Sequence, residues 1–181
     1  MKTQYQYLIL AVTLCIVGSS GCNQFENFTN FTLTYEQDAK VESSTGINLP
    51  FNIATPQMET NSEAEFENNN TEKKYIKSIE LDQLSITLTD PPEEDFSFLE
   101  SISVYIKAEG LDELRVAWKD PVSEQTSNVL NLDCSDSDLK EYIKKDRFSL
   151  RLAVSTDEFI AKDHYFKIKS VYFVSAQLKE E

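Results

Sequence analysis

One histidine, three cysteines and four glycines in 181 residues leave little of the raw material from which active sites are usually assembled. A lone imidazole and few thiols do not make up the nitrogen and sulfur set of a zinc site. Only Gly46 and Gly110 lie beyond the first 21 residues, which leaves no glycine-rich loop to cradle a phosphate. Cations are scarce too. Seventeen Lys and Arg stand against 31 Asp and Glu, a net charge of −14, and a balance this acidic repels nucleic-acid backbones. Long apolar runs are also missing: the one clear run, from about Tyr7 to Val17, is shorter than the ~20 residues that span a bilayer. What the chain does have is 40% apolar and 11% aromatic residues, enough for one ordinary globular core.

The first 22 residues have the layout of an export signal. Lys2 precedes the apolar run, and Gly18, Ser19, Ser20 and Gly21 lead to Cys22. This junction resembles the lipobox of bacterial lipoproteins, in which small residues precede a cysteine that is acylated and becomes the new N-terminus. Ser20, Gly21 and Cys22 match. Ser19 stands where an aliphatic residue is usual, a departure that fits the looser lipoboxes of some Gram-negative lineages. Ser19 and Gly21 also satisfy the small-x-small rule of ordinary signal cleavage, the competing reading. The resemblance implies that residues 1–21 are removed, that Cys22 carries acyl chains such as palmitate, and that residues 22–27 are a short tether. Each buried CH₂ contributes about 0.8 kcal/mol, so two or more chains make a stable anchor. Asn23 is not the Asp that resembles an inner-membrane retention signal, which directs the expectation to the outer membrane. Maturation removes one lysine and no acid, leaving a charge of −15, and it leaves Cys134 as the one unlipidated thiol. No disulfide is then available within the domain. About six tether residues reach at most ~20 Å, which holds the domain close to its membrane.

From Phe28 the dominant signal is alternation with period two. Phe31, Leu33 and Tyr35 alternate with threonines, and the same holds for Ile47 to Ile53, Leu84 to Leu88, Leu114 to Trp118 and Phe148 to Val154. Residues two apart share one face of a strand, so each run predicts a strand with one buried and one wet side. Further strands are predicted at Ile76 to Leu81, Ile102 to Lys107, Val129 to Leu132 and Tyr165 to Gln177. Strands without repeated intervening helices predict one all-β domain over 28–178, an antiparallel β-sandwich of the immunoglobulin-like class. Between Leu81 and Leu84 the apolar phase slips by one, which needs a bulge or a tight bend at Asp82-Gln83. Pro50 marks an edge strand and Gly110 a turn. One short connecting helix is predicted behind Asp138, with Glu141 completing a capping box and Leu139, Tyr142 and Ile143 forming its apolar stripe. The polar stretch from Glu59 to Lys74 reads as a mobile excursion.

Candidate chemistry is thin. His164 beside Asp163 would need a serine supplied by the fold to act as a triad, and as a strand-start residue it reads as solvated. Asp133, Asp136 and Asp138 crowd one loop and suit a hard cation such as calcium, but their spacing misses the usual calcium-loop pattern. Cys134 reads as a small buried hydrophobe. Aromatics offer the better binding candidates. Trp118 and Tyr105 fall on neighbouring strands, and Tyr165 falls on the last one, where an outward ring can stack on a sugar or anchor a partner. Against that, Trp118 continues the Leu114, Val116 phase, which places it in the core. No cofactor is implied.

The layout as a whole resembles the small envelope lipoproteins of Gram-negative bacteria. The resemblance transfers location and not activity. The expectation is a non-catalytic, lipid-anchored envelope protein that is structural or binds an envelope protein or glycan partner. The alternatives are a glycan- or ligand-binding sandwich module and, further off, a carbohydrate-active hydrolase.

Overall fold

A computed structural model describes residues 28–43, 50–122 and 127–179. The alternating runs form ten strands: β1 (Phe28–Val41), β2 (Phe51–Ala54), β3 (Met58–Glu59), β4 (Ile76–Asp90), β5 (Leu99–Ala108), β6 (Leu114–Lys119), β7 (Val129–Asn131), β8 (Asp133–Cys134), β9 (Arg147–Thr156) and β10 (His164–Gln177). They make two antiparallel sheets packed as a sandwich. The first runs β1-β10-β4-β7, and the second runs β2-β9-β5-β6-β8 with β3 also paired to β9. Ile47 and Leu49 lie outside the described residues, as does Cys22 with the whole leader and tether.

The inward-facing residues form one core between the sheets. Ile79, Leu84, Ile86, Tyr172 and Val174 from the first sheet meet Val104, Ile106, Phe148 and Leu150 from the second. Tyr35, Phe148 and Tyr172 meet edge-on at its centre, with ring centroids 5.3 to 6.1 Å apart. The Tyr35 hydroxyl donates to the Thr60 carbonyl oxygen at 2.9 Å, and burial pushes its phenol far above the ordinary range.

The predicted bulge is present. Val171 pairs with Gln83 and Tyr172 with Leu81, so Asp82 is the extra residue. β2 begins directly after Pro50 and lies at a sheet edge, and Gly110 adopts φ +74° in the turn from β5 to β6. Where one helix was expected the described residues form two α-helices. The first, α1 (Ser62–Asn68), occupies the stretch read as mobile. It is acidic and polar, with Phe66 its only fully buried large side chain, so its apolar stripe is too narrow to register as periodicity. The second, α2 (Lys140–Ile143), is the expected one with its cap altered. Asp138 Oδ1 accepts from the Lys140 and Ile79 amides, both at 3.1 Å, so the carboxylate fastens the helix start to β4. Glu141 turns to Lys144 at 3.9 Å instead of completing a box.

Candidate functional site

The outer face of the second sheet carries the one grouping of candidate residues that the fold brings together. On β5 the outward positions are Ser101, Ser103, Tyr105 and Lys107. The opposing positions on β9 are Ser155, Ala153, Arg151 and Ser149. On β6 plain alternation would send Leu114, Val116 and Trp118 to the core. Instead Val104 pairs with Ala117 and Tyr105 with Arg115, which leaves Val116 as an extra residue. Val116 and Ala117 are both fully buried. The phase is therefore reversed beyond them, and Trp118 emerges on the outer face opposite Ser103. Its expected place in the core is corrected by this bulge.

The same bulge puts Arg115 and Trp118 on one face although they are three residues apart, and the Arg115 guanidinium lies 4.7 Å from the Trp118 ring centre. One strand over, Arg151 lies 4.2 Å from the Tyr105 ring centre. The two arginines differ in how they are held. Arg151 donates to both oxygens of Glu113 at 2.9 to 3.2 Å and to Asn52 Oδ1 at 2.6 Å. Its guanidinium draws the Glu113 carboxyl below the usual range. Arg115 has only the indole, and none of its donors meets an acceptor among the described residues. Neither arginine was legible as a site residue. An Arg-x-x-Trp spacing means opposite faces in a regular strand, and only the bulge joins them.

The remaining candidates are dispersed. Tyr165 is exposed on the outer face of the other sheet, with Lys40 Nζ 5.5 Å from its ring centre, and does not join Trp118 and Tyr105. Asp133 pairs with Lys119 at 3.5 Å and Asp138 with Lys140 at 2.9 Å, while Asp136 lines a separate shallow hollow with Glu80 and Asp82. Among the described residues no three His, Cys, Asp or Glu side chains are placed to hold a metal ion. Burial pushes the half-buried Cys134 thiol up, away from the reactive thiolate form. His164 is not the solvated residue expected. It is 3% exposed, between the rings of Phe98 and Phe166. Its Nδ1 meets the Lys162 carbonyl at 2.8 Å. Its Nε2 stands 2.6 Å from Glu94 Oε2, close enough for an ion pair but off hydrogen-bond alignment.

A cleft of about 730 Å³, the largest of those found among the described residues, opens between the β3–α1 segment and the turn before β9. Three of its carboxylates are paired at the surface, Glu59 with Arg147 at 2.8 Å, and Glu63 and Asp146 with Lys73 at 3.2 and 3.7 Å, while Glu109 meets no cation at ion-pair distance among the described residues. No helix among the described residues is long and apolar enough to cross a membrane.

No family model and no curated protein sequence matches the chain. Solved structures are similar only loosely. The acidic-stable capsid of Helicobacter pylori bacteriophage KHP30 is 10% identical, at a TM-score of 0.34 over 82% of this chain and 99% of that one. The decameric BFDV capsid protein is 7% identical, at 0.39 over 83% and 100%. A structure described for the promiscuous specificity of carbohydrate-binding modules of the β-sandwich superfamily is 10% identical, at 0.29 over 89% and 60%. Similarities this loose carry no argument about function. The sandwich rests on the strand order and register of the chain itself.

Proposed function

We propose that this is a non-catalytic, lipid-anchored component of the cell envelope that binds a partner on the outer face of its second sheet. One observation carries the binding half: the β6 bulge spends a tryptophan on an outer face and lays an otherwise unpartnered arginine across it. Trp and Arg are among the side chains from which binding hot spots are most often made, and this Trp118 is half-buried beneath Arg115. The non-catalytic half rests on the sequence, whose single histidine and two glycines beyond residue 21 make up no catalytic or cofactor motif. The anchor half rests on the Ser20-Gly21-Cys22 junction.

Two experiments test it. Cys22→Ser should move the protein from the membrane to the soluble fraction of lysed cells; a variant that stays with the membrane overturns the anchor. Photo-crosslinkers placed at Ser103 and Ser149 in intact envelopes should capture a partner that one at Lys169, outside the first sheet, does not. Equal capture from both faces overturns the binding surface.

A further inference from the structure

Resting on that reading and going a step past it, we propose that the outer face of the second sheet binds a carboxylate-bearing glycan, with Arg115 receiving the carboxylate and Trp118 the sugar ring.

Charge is the first observation. Carboxylates along this face are already engaged: Glu113 by Arg151, Asp133 by Lys119 at 3.5 Å, and Glu100 by the Ser155 hydroxyl at 2.8 Å. Arg115 and Lys107 hold no carboxylate at ion-pair distance among the described residues. Lys107 still acts on the Glu113 carboxylate from farther off, which leaves Arg115 the cation of this face that no carboxylate among the described residues answers. A guanidinium with its fork open presents parallel N–H donors matched to the two oxygens of a carboxylate.

The surface beside Trp118 names the kind of molecule. Ser101, Ser103 and Ala153 floor it on the far side of the Tyr105–Arg151 pair from Ser149, and the Ser101 and Ser103 hydroxyls meet no partner among the described residues. Small serine and alanine side chains are depleted from protein–protein interfaces, which draw their affinity from large apolar anchors. A flat, hydroxyl-lined floor instead suits a polyhydroxylated chain lying along it. The face of the Tyr105 ring is covered by an arginine fastened on two sides, so Tyr105 serves as a fixed wall. Arg115 is held by the indole alone, so it can swing to a carboxylate and uncover the Trp118 face for stacking.

Trp118 is the only tryptophan in the chain, so its emission reads this face directly. The full lipidated chain in detergent micelles is titrated with polygalacturonate, with neutral dextran and with poly-L-glutamate, following fluorescence and, independently, heat of binding. Polygalacturonate should give a saturable change in both, and dextran should bind at least about ten-fold more weakly, as expected when a charge-assisted pair is missing. By calorimetry Arg115→Ala should cost about ten-fold or more, Arg115→Lys should recover only part of it because the fork is lost, and Lys167→Ala on the other sheet should change nothing. Unchanged circular dichroism in the variants keeps a loss of binding separate from a loss of fold. Poly-L-glutamate binding as well as polygalacturonate overturns the glycan assignment in favour of an acidic protein. Polygalacturonate failing to bind while the Ser103 crosslinker still captures a partner also overturns it, and leaves the partner-binding reading standing. Loss of both removes the two together.

Discussion

Four of the five extra residues in the described ladders are polar and exposed: Lys77, Asp82 and Thr89 in β4, and Glu100 in β5. The fifth, Val116 in β6, is apolar and fully buried. A polar extra residue is pushed into water and the core phase resumes on its far side, so Leu81 and Leu84 both face inward across Asp82. An apolar extra residue stays inside with its neighbour Ala117, and the outer face absorbs the change. Both bulges slip the alternation by one residue; one doubles the outward positions, Asp82 and Gln83, and the other doubles the inward ones, Val116 and Ala117. The candidate binding face exists because β6 has the second kind.

That contrast can be broken most severely by putting a charge where the buried bulge lies. Val116→Asp should lower stability by about 3 kcal/mol or more in urea denaturation, since an unpaired carboxylate would be forced into the core. The reciprocal Asp82→Val, at an exposed bulge, should stay within about 0.5 kcal/mol. Equal costs at the two sites would mean that they are not different in kind. Deleting Val116 is the sharper test. Removing the extra residue restores plain alternation with Leu114 and Ala117 inward and Arg115 and Trp118 outward, so it should cost the burial of one valine, about 1.5 to 3 kcal/mol, and leave tryptophan emission where it was. Emission shifted to the blue would show that Trp118 had turned inward and would break this register.

A smaller effect is expected at Asp138, which clamps β4 at Ile79, between the Lys77 and Asp82 bulges. Asp138→Ala should cost about 1 kcal/mol, as loss of a helix cap usually does. Burial alone would raise this carboxyl. Hydrogen bonds from Lys140 and from the Ile79 and Lys140 amides outweigh burial and lower it. A carboxyl lowered by folding stabilises above its unfolded pKa of about 3.9, and the contribution fades as pH falls below that. The wild type and Asp138→Ala should therefore converge in stability on acidification.

The unbulged ladder supplies the control. β1 and β10 pair over all 14 residues of β1 without a register shift, and at the Val41 end Asp163 accepts from Lys40 and the Ser43 amide, each at 2.8 Å. Lys40 and the Ser43 amide hold the Asp163 carboxyl down at about 2. The Ser43 amide resonance should move with a midpoint near pH 2 and lose that titration in Asp163→Asn. The fold should be indifferent, because the group is at the surface.

The two kinds of bulge also decide what could be read from the sequence. Leu81 and Leu84 are three apart with polar residues between them, so the slip in phase is written in the hydropathy pattern. Leu114, Val116 and Trp118 alternate without a flaw, and Ala117 is small enough to pass for an outward residue. Nothing local records that both Val116 and Ala117 are buried; the pairing with Val104 and Tyr105 settles it. The sandwich, the Asp82 bulge and the α2 region were therefore legible, because each rests on local periodicity or capping. The Arg115–Trp118 pair was not, because it depends on cross-strand register. Helix α1 was hidden for a related reason: one buried phenylalanine among acids leaves no stripe to detect. His164 misled because its cover comes from Phe98, far away in sequence.

The straight β1–β10 ladder has a bearing on how the molecule stands. Fourteen residues of extended chain span about 46 Å, with Phe28 at one end and Val41 at the other. That length is also a limit: with an anchor at Cys22, the Val41 end could stand no farther beyond the Phe28 end than the ladder is long.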